Sequence, residues 1–326
     1  MILGLVEHNR GELDPLSLEM LTFSRRLAGR LEAPVEAVLV GEEASLPVEE
    51  LRRYGVSALH SVEHPRLGDY APEACAESVV QLMAAVEPQV VLASASDRGN
   101  EVMAHVAARA NLPLAANCID AEPGEPYFVT RVRWGGSLLE EAHLSGTVKL
   151  LTVAEHALSA EESPADAIRH TPFTPVLSDE EFRVQVSARV EPEGDKVSLP
   201  TARVVVGGGR GVGSSEAFAP LDELAELLGG AVGCSRAVTG LGWRPHSDQI
   251  GQTGTRIAPD LYIACGISGA IQHMVGCKAA KRILVINTDP NAPVLVRADY
   301  AVIGDVNEVV PALNAELRKG QAGGAA

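Results

Sequence analysis

Cysteine is sparse in this sequence and unpaired: Cys75, Cys118, Cys234, Cys265 and Cys277 stand far apart, with no C-x-x-C spacing. An odd, dispersed set argues against a disulfide framework and fits a reducing compartment. Long apolar runs are missing too. None reaches the ~18 residues a membrane helix needs, so no membrane insertion is expected. The opening run 1–6 meets Glu7 at once, which leaves neither a basic n-region nor a long apolar h-region. A strand is expected almost at the first residue, with no room for a transit peptide, and a cytoplasmic location follows as the expectation. Basic charge is in deficit, 27 Lys and Arg against 43 Asp and Glu, for a formal net charge of -16. Such a surface repels phosphates and argues against nucleic acid as a partner.

What is present describes a soluble globular chain. Hydrophobic residues make up 46% and charged residues 21% of 326 residues, a length better suited to two cores than to one. The first half alternates short apolar runs (2–6, 35–40, 90–93) with helical periodicity (16–27, 72–85, 100–110), the pattern of a mostly parallel sheet under helices. From 114 to 153 strand follows strand around Gly135-Gly136, which predicts an antiparallel extension. Residues 159–179, with Pro164, Pro172 and Pro175, and the turn Glu191 to Asp195 read as an extended connection. The expected division is 1–199 and 200–326. The second half repeats the β/α logic: strand 203–206, helix 221–228 closed by Gly229-Gly230, strand 261–265, helix 270–281, strands 283–286 and 301–303, helix 306–318, then a frayed tail from Gly320.

Chemistry concentrates at the ends of these later strands. Gly207-Gly208-Gly209-Arg210-Gly211-Val212-Gly213 follows a strand, where backbone N–H groups and a guanidinium suit an anion. It is neither G-x-G-x-x-G nor a P-loop, so a plain glycine turn is the competing reading. Gly266-Ile267-Ser268-Gly269 leads into a helix carrying His273, read either as a site residue or as a core histidine bonded to a carbonyl. Asp248-Gln249-Ile250-Gly251-Gln252-Thr253-Gly254 offers amides and a hydroxyl suited to a neutral polar ring or sugar, or else forms a polar surface loop. Ser235 and Arg236 follow Gly233-Cys234, Asn287 ends another strand, and Asp305 follows Gly304. Polar residues placed straight after parallel strands emerge on one rim, so Arg210, Ser235, Ser268, Asn287 and Asp305 are expected in one crevice. No metal site is expected, because His60 and His64 sit in strand-prone sequence that spoils a helical metal-binding face. No nucleophile elbow is present.

These strings, with Ala258-Pro259-Asp260-Leu261-Tyr262, Gly266-Ile267-Ser268-Gly269-Ala270-Ile271-Gln272-His273 and Asn287-Thr288-Asp289-Pro290, occur in an order that resembles the alpha subunit of electron transfer flavoprotein, the FixB-type chain. The likeness is strong over the last ~125 residues and extends to Ala95–Asn100 and to the region near Arg131–Gly136. Thr288 departs from it, standing where the family more often has lysine, and Trp243 is bulkier than the usual aromatic. The resemblance implies two α/β domains: a first that docks a beta subunit and holds no cofactor, and a second with the deoxyhypusine-synthase-like FAD-binding fold. It implies that Arg210, Ser235, Ser268, Gly269 and Ala270, leading into Ile271 and Gln272, hold the diphosphate and ribityl chain of FAD. Asn287, Asp305 and Val306 would contact the adenosine half. Gln249, Ile250, Gly251, Gln252 and Thr253 would line the flavin, with Arg236 over one face and His273 at its N1–C2=O edge. A protonatable imidazole and a guanidinium there would favour negative charge on the pyrimidine edge. The implied function is an electron carrier rather than an enzyme, passing electrons singly from flavin dehydrogenases such as acyl-CoA dehydrogenases to a quinone oxidoreductase or quinone pool. Two alternatives stand beside it: an electron-bifurcating heterodimer that oxidises NADH, and a regulatory module holding NAD or AMP in the same crevice.

Overall fold

The computed structural model describes residues 1–9, 11–41, 47–188 and 197–323. The chain divides into two compact units, Met1–Arg189 and Val190–Ala326. The expected turn from Glu191 to Asp195 lies outside the described residues. No helix among the described residues is long and apolar enough to cross a membrane.

The first unit runs β1 (Ile2–Val6), β2 (His8–Asn9), β3 (Glu12–Leu13), α1 (Pro15–Leu31), β4 (Val35–Val40), α2 (Val48–Arg53), β5 (Ala58–Val62), α3 (Pro72–Val86), β6 (Val90–Ser94) and α4 (Asp97–Ala110). There follow β7 (Leu114–Glu122), β8 (Phe128–Arg133), β9 (Leu138–His143), β10 (Lys149–Val153) and β11 (Arg169–Phe173). Nine of these strands form one sheet in the order β11-β5-β4-β1-β6-β10-β7-β8-β9. Neighbouring residues of a strand face opposite sides, so Ile2 enters one apolar core with Leu21 and Leu39, and Leu3 enters the other with Val79 and Val91. Local chemistry sets the helix ends. The Asp14 carboxylate accepts from Leu16 N–H at 2.8 Å ahead of Pro15, and the Ser96 hydroxyl accepts from Gly99 N–H at 2.8 Å.

Two expectations for this unit are corrected. The stretch 114–153 is antiparallel only in β7–β8 and β8–β9; β10 turns inward and pairs parallel with β6 and β7. Leu150 to Val153 are all buried, and a strand covered on both faces belongs inside a parallel sheet rather than at its rim. Residues 159–179 are also more than a connection, because β11 pairs parallel with β5 at the far edge. An edge strand tolerates Pro172, whose missing N–H a central strand would need. Sheet order reverses between β1 and β6. At that point the Glu7 carboxylate accepts from the Ser94 hydroxyl at 2.7 Å and the Ser96 hydroxyl at 2.6 Å, beside the start of α4.

The second unit contains β12 (Val204–Gly208), α5 (Ala219–Leu227), β13 (Ala231–Cys234), α6 (Arg236–Gly240), β14 (Leu261–Cys265), α7 (Ile271–Gly276), β15 (Ile283–Asn287), β16 (Tyr300–Ile303) and α8 (Val306–Gly323). Its five parallel strands are ordered β13-β12-β14-β15-β16, with one core on each face. The helix expected over 270–281 stops at Gly276, because the Gly276 carbonyl accepts from Ile257 N–H at 2.8 Å and Cys277 leaves helical geometry. A tertiary partner has replaced the next helical turn. Conversely α8 continues to Gly323, past the expected fraying point.

Candidate functional site

In an open α/β sheet the natural crevice lies beyond the carboxyl ends of the two strands from which the order runs outward in both directions. Here those strands are β12 and β14. Their outgoing turns touch backbone to backbone: Gly209 N–H donates to the Cys265 carbonyl at 2.8 Å, and Gly211 N–H to the Gly266 carbonyl at 3.1 Å. A methyl on Gly209 would fall well inside van der Waals contact with the Gly266 carbonyl oxygen, and Gly266 itself holds φ +60°. The glycine run is therefore not uniform. A methyl on Gly207 would collide with the Tyr262 phenol and one on Gly208 with the Phe218 ring, so those two serve side-chain packing. Gly209 and Gly211 shape the turn where it meets Gly266, and Gly213, at φ +99°, closes it with its N–H on the Arg210 carbonyl at 3.1 Å.

A cavity of about 460 Å³ opens over these turns, within the range of small-molecule sites. It is lined from four strand ends, by Arg210 after β12, Ser235 and Arg236 after β13, Ser268 after β14, and Asn287 at the end of β15. The loop before β14 supplies Gln249, Ile250, Gly251, Gln252 and Thr253, and the start of α7 adds Ala270, Gln272 and His273. Among the described residues the side chains of Arg210, Arg236, Ser235 and Ser268 make no hydrogen bond or ion pair. Two unpaired guanidiniums and two spare hydroxyls around one cavity are the donor set an anionic ligand requires.

Four expected residues lie elsewhere. Asp305 caps α8, its carboxylate accepting from Asn307 N–H at 2.8 Å. It follows β16, the edge strand two places beyond β14, and its side chain is spent on its own helix. Val306 is buried in the core under α8. Gly269 packs against the backbone of Val294, and Ile271 is 72% exposed at the helix start, outside the cavity lining. Asn287 does line the cavity, but its amide already braces the turn, donating to the Ile267 carbonyl at 2.9 Å and accepting from Asp289 N–H at 3.0 Å. Asp289, Ala292 and Pro293 also line the cavity and were missed. Asp289 belongs to the Asn287–Pro290 string, which was the available signal; the turn bearing Ala292 and Pro293 gave none.

The polar loop is held from inside. Gln249, 2% exposed, accepts from the Thr239 hydroxyl at 2.8 Å and donates to Thr253 Oγ1 at 2.9 Å. Thr253 accepts from that amide, so its own proton is left for a ligand. Gln252 N–H donates to the Gln272 carbonyl at 2.7 Å, tying the loop to α7. His273 is 6% exposed and both ring nitrogens are engaged, Nδ1 with the Ile250 carbonyl at 3.1 Å and Nε2 with the Tyr262 phenol at 2.7 Å. Burial holds its imidazole down at about 4, with the Ile250 carbonyl pulling weakly the other way. The two readings of this residue meet here, for a core histidine bonded to a carbonyl also walls the cavity.

Residues 198–278 match the electron transfer flavoprotein FAD-binding domain, and residues 2–174 the electron transfer flavoprotein domain. The chain belongs to the electron transfer flavoprotein alpha-subunit family. It is 34% identical over 320 residues to the electron transfer flavoprotein subunit alpha of Bacillus subtilis, covering 98% of this chain and 97% of that one. With the corresponding subunit of Thermoanaerobacterium thermosaccharolyticum it shares 32% identity over 321 residues, 96% of each chain. With protein FixB of Bradyrhizobium diazoefficiens it shares 35%, over 96% of this chain and 87% of that one. The cofactor of this family's domain is FAD, and the cavity fits it: anion-seeking arginines over touching glycine turns, then a loop of amide and hydroxyl groups. His60 is buried on β5 against Glu36, and His64 stacks on Phe182.

Proposed function

We propose that this chain is the FAD-holding subunit of a heterodimer with a beta subunit, carrying electrons one at a time from flavin dehydrogenases to a downstream oxidoreductase or quinone pool. The observation that carries this reading is the pair of arginines, Arg210 and Arg236, without side-chain partners among the described residues and facing one cavity above the touching turns of Gly209 and Gly266. When bound, FAD supplies the one-electron chemistry. The chain's own residues bind and orient it: Arg210 and the two serines take the diphosphate, and the Gln249–Thr253 loop presents donors to the ring. Co-expression with a beta-type chain is expected to give a yellow complex with one FAD per copy of this chain, counted by absorbance after release. Stoichiometric NAD or AMP with no flavin would overturn the proposal.

Under the same reading residues 1–199 hold no cofactor and dock the beta subunit. Supporting this, the crevice at the reversal between β1 and β6 is filled from within by the Glu7 carboxylate, hydrogen-bonded by Ser94 and Ser96. Burial raises the Glu7 carboxyl above its ordinary value; the two serine hydroxyls lower it, Asp14 raises it and Arg98 lowers it. A carboxyl raised in the folded state binds its proton more tightly there than in the unfolded chain. Its contribution is therefore greatest below the ordinary carboxylate pKa and is lost as pH rises through the folded value. Glu7→Gln keeps an acceptor for the serines without the buried charge. It is expected to melt above the wild type near neutral pH, the gap closing toward about pH 4, where each 1 kcal/mol reads as roughly 2–4 °C. Calorimetry across that range checks it, and a pH-independent difference would show that the carboxyl is not titrating with folding.

A further inference from the structure

We propose that Gly276 is a positioning residue for the flavin site: it seats the ring-lining loop, through Gly251, on the far end of α7, so that α7 fixes the distance between that loop and the turn proposed for the diphosphate. Gly276 is buried at the end of α7, outside the cavity lining, and a methyl on it would collide with the nitrogen and Cα of Gly251. The block is reciprocal. A methyl on Gly251 would stand 2.9 Å from the Gln272 carbonyl oxygen, and Gly251 holds φ +144°. All these neighbours are backbone atoms, so nothing at the crossing can rotate away. Donor and acceptor roles around it are fixed as well. Gln252 N–H donates to the Gln272 carbonyl at 2.7 Å, and Ile257 N–H donates to the Gly276 carbonyl at 2.8 Å. Backbone amides only donate and carbonyls only accept, so the loop is tied to α7 at both sides of the glycine crossing.

The other end of α7 is locked in a similar way. Gly269, at φ +86°, packs against the Val294 backbone, whose N–H donates to the Ser268 carbonyl at 3.1 Å. Between the two contacts lies a single six-residue helix, about 9 Å long at 1.5 Å per residue. Ser268 and Ala270 line the cavity ahead of it, and Gly251, Gln252 and Thr253 line it where the loop crosses its end. A short helix held at both ends cannot stretch. The spacing between the two halves of the cavity is therefore set by α7, and the missing side chain at Gly276 lets the loop reach it. A ligand that carries an anionic group and a polar ring on one linker meets both halves and is sensitive to that spacing. A ligand with the anionic group alone is not.

The meaning for FAD rests on the proposed function; the seat belongs to this chain alone. The test is titration of the full chain with FAD and with ADP, which keeps the diphosphate and lacks the flavin ring, together with amide hydrogen exchange on the chain freed of FAD. Gly276→Ala is expected to weaken FAD by roughly 10–100-fold and to leave ADP within about twofold of the wild type, because the overpacking falls on the ring end of the bound state. Gly208→Ala, overpacked against Phe218 in the core instead, is expected to keep both affinities. In exchange, Gly276→Ala is expected to speed the amides of Gln252 and Ile257 and to leave that of Gly209, bonded to the Cys265 carbonyl, at its wild-type rate. Unchanged FAD affinity, equal losses for FAD and ADP, or wild-type rates at Gln252 and Ile257 would each overturn the proposal. If Gly276→Ala does not fold, or ADP binds too weakly to titrate, exchange in the wild type decides. Gln252 and Ile257 opening in step with His273 and Met274, whose amides bond within α7, supports the seat; faster opening of the two loop amides overturns it. A wild type with the matched pattern that takes up no FAD supports the seat and refutes the flavin function.

Discussion

Gly209→Ala is expected to lose FAD affinity by roughly 10–100-fold while the protein stays folded, whereas Gly208→Ala, one residue earlier, is expected to lose stability and keep its affinity. The two glycines are alike in sequence and opposite in surroundings. The space beside Gly209 is occupied by the Gly266 carbonyl and the Ile267 backbone, which cannot turn aside as a side chain can. An added methyl must therefore part the turns of β12 and β14 at the place proposed for the diphosphate. The space beside Gly208 is filled by Phe218 and Leu221, both buried in the core under α5. Overpacking of either kind costs about 1–3 kcal/mol. At Gly208 that cost falls on the global unfolding free energy. At Gly209 much of it falls on the bound state, where 1.4 kcal/mol is about tenfold in the dissociation constant. Thermal melts and FAD titrations of both variants separate the outcomes, and equal affinity losses in the two would show that the run acts as one unit.

How much of this was legible beforehand depends on how local each cause is. Helices expected from 16, 72 and 100 begin at Pro15, Pro72 and Asp97, and the caps that set two of these starts, Asp14 and Ser96, act within three residues of themselves, whereas the short helices α2 and α6 were not read. The strand-end rim was legible as well, since Arg210, Ser235, Ser268 and Asn287 each follow a buried apolar run and do meet at one cavity. Asp305 obeys the same rule and stays outside it. Its exclusion is decided by the lateral place of β16, which only the order of strands reveals. The internal split of the glycine run was hidden for a related reason: Tyr262 and Phe218, which claim the space beside Gly207 and Gly208, stand 55 and 10 residues further along. The early end of α7 is likewise set by Ile257, whose N–H takes the carbonyl that the next turn needed.

Arg210→Ala is expected to be the more costly of the two arginine truncations for holding FAD, and Arg236→Ala the more visible in the flavin's potential. Both side chains line the cavity, both are exposed, and neither has an intramolecular partner among the described residues. In a chain with a net charge of -16, such arginines are the nearest available counter-charge for an anionic ligand. Arg210 leaves the turn that touches Gly266, where the diphosphate is proposed to sit. A charge-assisted hydrogen bond there is worth about 1.5–3 kcal/mol, so its loss should raise the dissociation constant by roughly 10–150-fold. Arg236 opens α6 across the cavity, and Ser235 and the β14 turn remain to hold the diphosphate when it is removed. Its effect on the ring is electrostatic and reduced by solvent, since exposed charge pairs are worth at most about 1 kcal/mol. At ~59 mV per tenfold for one electron, the first one-electron potential of bound FAD should fall by roughly 40 mV. Raising ionic strength should shrink the Arg236 effect, because screening acts on exposed charges. Spectroelectrochemistry and FAD titration on both variants provide the test. A large affinity loss with an unchanged potential in Arg236→Ala would make that arginine an anchor instead, and the diphosphate would then span β12 and β13 rather than β12 and β14.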